Sequence, residues 1–349
     1  MIRPAPVNPR RPHGLTLIEI MIALLLSSLL ILGVAQVFSG NRETQRFQSA
    51  LTRIQENGRF ALEELTYNLR QTGFRGCGGQ DKTVVNKLQG PGASDFDLGT
   101  ADELEGHRFS GGNWAPNDPD IDTINDPATV RANDVLTFKT LDPNINATVA
   151  SPHNTGNANI QFTENVDFLQ CDIVIVSTCS RMVIMVNTDN SPNQRVTHSV
   201  GNNCLGNAPD VQNDTNTIAT DMSGGSLLRF KSYTYYIDQS PGSDVPSLYR
   251  EDEAGNTVEL VPGVQALSLD YGEDTSGDGQ ADSYTGNPAT VASWVDVVAV
   301  RLELLLASEK DRVTDDPQTY TFNGNQVQAG DNRLYQVFNT TVTLRNRTQ

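Results

Sequence analysis

The sequence predicts an α+β fold in which one long N-terminal helix packs on an antiparallel β-sheet head. Two observations predict this fold. No proline occurs between Pro12 and Pro91, and in that interval a long apolar run passes into a pattern with apolar residues every three or four positions. Beyond it, short β-rich segments alternate with stretches of Asn, Asp, Gly and Pro, without an internal repeat. The chain therefore divides into a helical N-terminal part and one β-rich domain.

Residues 15–38 form the first part of the predicted helix and are apolar enough to span a membrane. Glu19 is their only ionisable residue, and about 20 apolar residues suffice to cross a bilayer core. Arg3, Arg10 and Arg11 precede the run with no acidic residue among them. This charge bias predicts that residues 1–14 stay in the cytoplasm and that the domain after the helix is exported.

The junction between Gly14 and Leu15 carries a processing motif. A basic leader, residues 1–14, ends in glycine, and the apolar run that follows has an acidic residue, Glu19, at its fifth position. This pattern resembles the class III signal of type IV pilins. The resemblance implies cleavage between Gly14 and Leu15 by a prepilin peptidase, followed by methylation of the new N-terminus. Two alternatives are a secretory signal peptide with a small-residue cleavage site at residues 33–35 and a plain membrane anchor.

Glu19 is unfavourable inside a bilayer by about 2.5–3.5 kcal/mol and therefore needs a partner. Cleavage would create an α-amino group on Leu15, about 6 Å from Glu19 along the helix. That distance is too long for a pair within one chain, but the amine could meet Glu19 of a neighbouring copy. The pilin resemblance implies the same role for Glu19 in filament assembly.

Residues 39–75 are predicted to continue the helix as an amphipathic stalk, and a glycine-rich cluster at residues 73–79 ends it. The whole helix, from Leu15 to about Gln71, would be about 85 Å long. Its second half needs a sheet to cover its apolar stripe. That stripe consists of Phe47, Leu51, Ile54, Gly58, Ala61, Leu65 and Leu69.

Residues 76–349 are predicted to form the head. Alternation of apolar and polar residues predicts strands at residues 294–306 and 334–344, each with one packed face, and β-rich composition predicts others at 135–138, 173–176, 182–186 and 227–237. Residues 110–133 are rich in Asn, Asp and Pro, which predicts an exposed loop.

The head is acidic and contains all four cysteines. Three of the 25 lysines and arginines lie in the leader, so 22 face 42 acidic residues in the rest of the chain. This balance disfavours nucleic-acid binding. Cys77, Cys171, Cys179 and Cys204 form an even set in a translocated protein, which predicts two disulfides, with a zinc site as the alternative. A strand between Cys171 and Cys179 would hold these two about 26 Å apart, so we expect the pairs Cys179–Cys204 and Cys77–Cys171.

Residues 274–282 resemble the first part of a calcium-binding loop. Asp274, Ser276 and Asp278 occupy positions 1, 3 and 5, Gln280 offers a carbonyl at 7, and Asp282 stands at 9. Alternate side chains at this spacing can converge on a hard cation that prefers six to eight oxygen ligands. Position 12 is a threonine and supplies no carboxylate. An Asp-Gly turn between two strands is the alternative.

No catalytic motif is present. The sequence has no HExxH, Walker A or GxSxG pattern, and His107, His153 and His198 occur singly in polar surroundings, which predicts surface positions. We expect a non-enzymatic protein without an organic cofactor.

Three further segments narrow the resemblance. Residues 55–61 in the stalk (QENGRFA), residues 76–79 (GCGG) and residues 332–347 at the C-terminal end are similar to the PilW family of type IV pilus minor pilins. This resemblance implies a precursor in the bacterial inner membrane with its head in the periplasm, then incorporation into pili. It implies other minor pilins, the major pilin and a tip adhesin as partners. The alternatives are a type II secretion minor pseudopilin and, from another class, a membrane-anchored periplasmic enzyme.

Overall fold

The computed structural model describes residues 16–77, 82–96, 98, 103–116, 127–142, 145, 147–190, 193–201, 204–205 and 210–347. The predicted leader and the Gly14–Leu15 junction lie outside these residues, as does the middle of the predicted loop at 110–133.

The N-terminal helix α1 is continuous from Leu17–Leu69, 53 residues or about 80 Å. It begins after Thr16 as N-cap and ends at Arg70 as C-cap. Gly73, with a φ of 74°, follows in the left-handed conformation that glycine adopts without a steric penalty. The predicted helix and its end near Gln71 are therefore confirmed. The predicted division at residue 38 corresponds to no break in the helix and stays a prediction.

In the described residues the head consists of β-strands, short 3₁₀ turns and one short α-helix, α2, Pro127–Arg131. The strands are β1 Thr83–Asn86, β2 Leu88–Gln89, β3 Leu104–Ser110, β4 Asn113–Ala115, β5 Asp134–Asp142, β6 Asn159–Gln161, β7 Ile173–Ser177, β8 Arg181–Val186, β9 Arg195–Thr197, β10 Gln212–Asn213, β11 Ser226–Gln239, β12 Pro246–Asp252, β13 Thr257–Pro262, β14 Val264–Glu273, β15 Ser283–Thr285, β16 Val297–Ala307, β17 Thr319–Phe322, β18 Asn325–Gln328 and β19 Tyr335–Thr343.

Two sheets make up most of the head. The larger has the order β1–β8–β7–β11–β5–β3–β4, and β12 and β13 extend it from β11. The smaller has the order β15–β14–β16–β19. Neighbouring strands are antiparallel, except that β1 and β8 are parallel in the described residues. The predicted α+β fold, a long helix with a mostly antiparallel head, is confirmed.

The second half of α1 packs on the head and joins its main core. Ile54, Ala61, Leu65 and Leu69 are buried in one cluster with residues of both sheets. The sheet residues at its centre include Leu104, Phe138, Tyr235, Leu269, Leu302, Leu304 and Val342. The predicted stripe is thus confirmed from Ile54 onward, whereas Phe47, nearer the membrane segment, is 38% exposed.

Gly58 allows the closest approach between α1 and the smaller sheet. A Cβ atom at this position would lie 2.4 Å from Cζ of Phe338 on β19. Because no real side chain tolerates that distance, glycine at position 58 lets the aromatic ring lie against the helix backbone. Phe338 lies in the strand that was predicted at residues 334–344, so this strand supplies the side chain that packs on the stalk at Gly58.

The predicted strand at 294–306 begins three residues later than expected. Trp294–Asp296 form a 3₁₀ turn, and the strand runs over Val297–Ala307. Within it, Val298, Val300, Leu302 and Leu304 are buried while Arg301 is exposed, which confirms the predicted packed face.

Candidate functional site

The first half of α1 is an apolar helix that the head does not cover. It is the one helix in the described residues that is long and apolar enough to cross a membrane, and its most apolar window is entirely exposed. Leu17, Leu24, Leu30 and Phe38 are each more than half exposed. Such a surface requires lipid or neighbouring helices around it.

Glu19 lies in the first turn of α1 and forms a capping box with Thr16. The Thr16 amide and the Thr16 hydroxyl both donate to Oε2 of Glu19 at 3.0 Å, and the Glu19 amide donates back to Oγ1 of Thr16 at 3.3 Å. Reciprocal bonds of this kind satisfy donors that a helix start leaves unpaired. The sequence signal, Thr at the N-cap and Glu three residues later, was present but was missed in the sequence analysis.

The capping box gives Glu19 a second structural role beside the predicted one. Both bonds from Thr16 end at Oε2, and in the described residues none ends at Oε1. The cap therefore fixes the side chain in place and leaves one carboxylate oxygen for a partner from another chain. The structure does not describe Leu15, so its amine stays part of the prediction.

The structure confirms that the four cysteines form two disulfides, but the predicted pairing was wrong. Cys77 pairs with Cys179, with Cα atoms 4.5 Å apart, and Cys171 pairs with Cys204, with Cα atoms 5.4 Å apart. As predicted, β7 separates Cys171 from Cys179. Cys179 lies in the turn between β7 and β8, and that turn meets the chain just after α1, where Cys77 lies. The pairing depends on which loops meet, a long-range property that the spacing of the cysteines does not contain.

A buried ionic cluster lies at the same end of the helix. Arg75 donates to Oε1 of Glu103 from Nη2 at 2.9 Å and from Nε at 3.1 Å, and Nη2 of Arg347 lies 3.7 Å from Oε2 of Glu103. All three side chains are at most 6% exposed. The Arg347 guanidinium also donates to the Trp294 carbonyl at 2.6 Å. The cluster ties the segment after α1 to the C-terminal end of the chain.

Lys82 completes the anchorage between this segment and β7. Its Nζ donates to the carbonyl of Arg75 at 2.6 Å, to Oγ of Ser177 at 2.7 Å and to the carbonyl of Thr178 at 3.0 Å. Burial, with a smaller contribution from the Arg75 charge, lowers the pKa of Lys82 to about 8. The side chain thus holds together two backbone segments that the Cys77–Cys179 bridge also joins.

The acidic loop, residues 274–282, connects β14 to β15 as a hairpin. Oδ2 of Asp282 accepts the amides of Thr275 at 2.8 Å and Ser276 at 2.9 Å. Oδ1 of Asp274 accepts the Gly277 amide at 2.6 Å, and its Oδ2 accepts the Gly279 amide at 2.7 Å. Although partial desolvation of Asp274 opposes them, these amides and that of Asp278 lower its pKa.

The remaining predicted ligands of the loop are less closely linked. Oδ1 of Asp278 accepts the Gln280 amide at 2.9 Å, and the Ser276 hydroxyl donates to Asp274 at 3.3 Å. The described residues contain no group of three or more His, Cys, Asp or Glu side chains arranged to hold a metal ion. The hairpin turn is thus present, and calcium binding stays a prediction.

The prediction that the histidines lie on the surface was wrong for two of them. His107 on β3 is 3% exposed and His198, just after β9, is 0% exposed. Burial, followed by the charge of Lys87, lowers the pKa of His198 to about 4. The sequence alone does not distinguish a buried histidine from a surface one when its neighbours are polar, because burial depends on which distant segments pack on it.

Comparison with known proteins agrees with the geometry of the helix and head. Residues 9–35 match the model of the prokaryotic N-terminal methylation motif, which contains the Gly14–Leu15 junction and Glu19. Residues 234–346, from β11 to the end of β19, match the model of type IV pilus-assembly protein W, PilW. No curated protein and no solved structure matches the chain.

A methylation motif on a long, partly uncovered helix defines the chain as a pilin-like protein related to the type IV pilus. Together the two matches support a PilW-type minor pilin, and the PilW match covers about the last third of the chain. The PilW match covers the second half of β11, then β12 and β13 of the larger sheet, and the whole smaller sheet. These elements include the strands on which the stalk half of α1 packs.

Proposed function

We propose that this chain is a non-enzymatic minor pilin that is cleaved after Gly14, enters type IV pili through α1 and helps to prime pilus assembly near the tip. Its partners would be other minor pilins, the major pilin and a tip adhesin. The observation that carries the proposal is the contrast along one continuous helix: an apolar half that the head leaves uncovered precedes a half whose stripe the head buries. A helix of this kind can leave a membrane and enter a helical bundle without a change in the head.

Processing between Gly14 and Leu15 is the first step of this proposal. The precursor would sit in the inner membrane with residues 1–14 in the cytoplasm and the head in the periplasm. Mass spectrometry of protein extracted from membranes should find a mature chain that starts at Leu15 and carries an N-methyl group. A mature chain that starts at Gln36 would identify an ordinary secretory signal and overturn the proposal.

Glu19 would attract the Leu15 amine of a neighbouring subunit. A pair of opposite charges 4 Å apart contributes about 1 kcal/mol in water and more in an apolar bundle. Glu19→Gln retains a side chain that can complete the capping box but removes the charge. We expect this variant to be cleaved and held in the membrane, while pilus numbers and its own recovery in sheared pili fall.

Thr16→Val separates the capping role from the assembly role. It removes the hydroxyl that caps the helix, a loss of about 1 kcal/mol, and leaves the Glu19 charge in place. If the charge drives assembly, this variant keeps its pili and Glu19→Gln does not. The opposite result, normal piliation with Glu19→Gln and loss with Thr16→Val, would assign Glu19 to local helix capping.

The priming role is tested by where the protein resides in pili. Sheared pili should contain this chain in small amounts with other minor pilins, and deletion of its coding sequence should reduce pilus number rather than pilus length. Recovery with a secretion complex instead of pili would support the pseudopilin alternative.

A further inference from the structure

A groove lies where α1 leaves the head on the side of the membrane segment. We call it the collar groove. It has a volume of about 580 Å³ and lies between one face of α1 and residues 307–313, the end of β16 and the loop after it. Arg42, Arg46 and Arg53 line the helix side, and Lys310 lines the loop side. These four residues bring a concentration of positive charge to a protein whose net charge is −17.

We propose that the collar groove binds the headgroup of an anionic phospholipid at the membrane surface from which the head projects. The inference rests on the proposed membrane-spanning role of residues 17–38. Arg42 lies one helical turn beyond Phe38, about 6 Å along the axis, and Arg46 lies about 12 Å beyond it. The headgroup layer extends about 5–8 Å beyond the hydrocarbon core, so Arg42 lies within it and Arg46 lies just outside, where a long side chain can still reach it.

In the part of the chain that the structure describes, the cations of the groove have little compensation. Two carboxylates, Glu309 and Asp311, also line it. Glu309 approaches Arg53 at 3.5 Å, but both side chains are about half exposed or more, so the pair is weak. Asp311 accepts the amides of Arg312 at 2.7 Å and Asn332 at 3.0 Å and thus serves its own loop. Arg42 and Arg46 remain as the cations nearest the membrane.

Arg42 is also placed by an aromatic residue at the end of the spanning segment. Its guanidinium lies 4.3 Å from the centre of the Phe38 ring. A cation over an aromatic face at the boundary of an apolar helix is held close to the headgroup layer.

The position of these arginines opposes the signal that sets membrane orientation. Arg42, Arg46 and Arg53 lie within about 15 residues of the end of the span, the distance over which Lys and Arg favour the cytoplasmic side. They lie at the opposite end of the span from Arg3, Arg10 and Arg11 and reduce the charge bias that these set. On an exported domain these arginines therefore need a function that outweighs their effect on orientation. Attraction to anionic lipid is such a function, because it offsets the repulsion between the acidic head and an anionic membrane surface.

Native mass spectrometry of the full-length chain tests the proposal. The chain is transferred from detergent with phosphatidylglycerol or phosphatidylcholine of the same acyl chains, and retained lipids are counted. We expect phosphatidylglycerol to be preferred. Arg42→Gln combined with Arg46→Gln should reduce that preference about 25-fold, since each basic residue near an anionic surface contributes about fivefold.

The matched control is Arg59→Gln combined with Arg70→Gln, which removes two exposed arginines of the same stalk outside the groove. It should retain the preference. Equal retention of the two lipids by the unaltered chain, or equal losses in both double variants, would overturn the proposal. Retention of a second protein copy in place of lipid, lost only in the Arg42/Arg46 variant, would assign the groove to a subunit contact and overturn it as well.

Vesicle flotation distinguishes a failure of the collar groove proposal from a failure of the proposed membrane role. If residues 17–38 do not insert, the chain fails to float with vesicles of either lipid, and the membrane role itself is wrong. If the chain floats equally with both and shows no lipid preference, the spanning role stands and the collar groove proposal fails.

Discussion

The two halves of α1 belong to one helix but have different surroundings. Leu25, in the half near the N-terminus, is 61% exposed, whereas Leu65, in the half beneath the head, is 0% exposed. In the first half nearly every residue is apolar; in the second, apolar residues recur only along the buried stripe. The difference shows that the pattern of a helix records what surrounds it: lipid or neighbouring helices on all sides in one half, a single sheet face in the other.

The contrast has an energetic consequence. The covered half belongs to the main core and should unfold with the head, because its side chains share one cluster with both sheets. The uncovered half shares no such cluster in the described residues, so substitutions there should change membrane or filament contacts and leave the stability of the head unchanged.

The largest effect is expected at the buried ionic cluster that fixes the end of the covered half. Glu103→Gln removes the carboxylate between Arg75 and Arg347 and leaves buried positive charge uncompensated, which costs about 3–5 kcal/mol in the free energy of unfolding. Denaturant unfolding of the full chain in detergent measures it. The control is Glu309→Gln, which breaks the exposed pair with Arg53 and should cost less than about 1 kcal/mol. Similar losses in both would show that burial does not strengthen the cluster.

A pair of leucine substitutions tests the two halves directly. Leu65→Ala should destabilise the head by about 2–5 kcal/mol, because it leaves a cavity in a close-packed core. Leu25→Ala makes the same chemical change in the uncovered half and should leave the melting temperature of the head unchanged. A comparable loss of head stability with Leu25→Ala would show that the first half also packs on the head in solution.

The close approach at Gly58 gives a smaller and more local test. Gly58→Ala places a methyl group against the Phe338 ring and should destabilise the head by about 1–3 kcal/mol, although alanine is the better helix former. Gly40→Ala, where nothing lies within 4 Å of the new methyl group, should not destabilise the head. Adding Phe338→Leu should reduce the loss caused by Gly58→Ala. If the double variant is no better than Gly58→Ala alone, the contact with Phe338 is not the cause.

The features of this molecule that depend on local periodicity could be predicted from the sequence. The helix, its apolar stripe from Ile54 onward and the packed face of β16 follow from spacings within a few residues. The Thr16–Glu19 capping box was equally local and could have been predicted. The parallel pairing of β1 with β8 could not, because it joins segments about 100 residues apart whose composition fits many partners.

Buried polar residues were the least predictable part of the molecule. Arg75, Glu103 and Arg347 are distant in the sequence and are buried only because each compensates another. The same holds for the pairing of Cys77 with Cys179, which depends on the turn after β7 reaching the end of α1. Interactions of this kind are set by tertiary contacts, and residue type alone predicts exposure for most of them.

The acidic loop offers the smallest expected effect and tests whether a ligand can stabilise the head alone. The Thr275 hydroxyl and two loop amides donate to Asp282, and three loop amides donate to Asp274. These bonds lower the pKa of both carboxyl groups, so both stay ionised at neutral pH. Calcium bound between them would reduce the repulsion of like charges and should stabilise the head by about 1.4 kcal/mol at ten times its Kd. The loop follows β14, which belongs to the sheet that packs on the covered half of α1.

A calcium titration should therefore raise the melting temperature of the head and leave the helicity of the uncovered half unchanged. Asp278→Ala removes one of the predicted ligands and should abolish the gain. Asp244→Asn removes an exposed charge outside the loop and should retain it, which separates a specific site from general screening of an acidic surface. Equal melting with calcium and with a chelator would mean that the five amide bonds to Asp274 and Asp282 are enough to hold the turn. The stability of the head, and of the half of α1 that it covers, would then come from packing alone and would need no ligand.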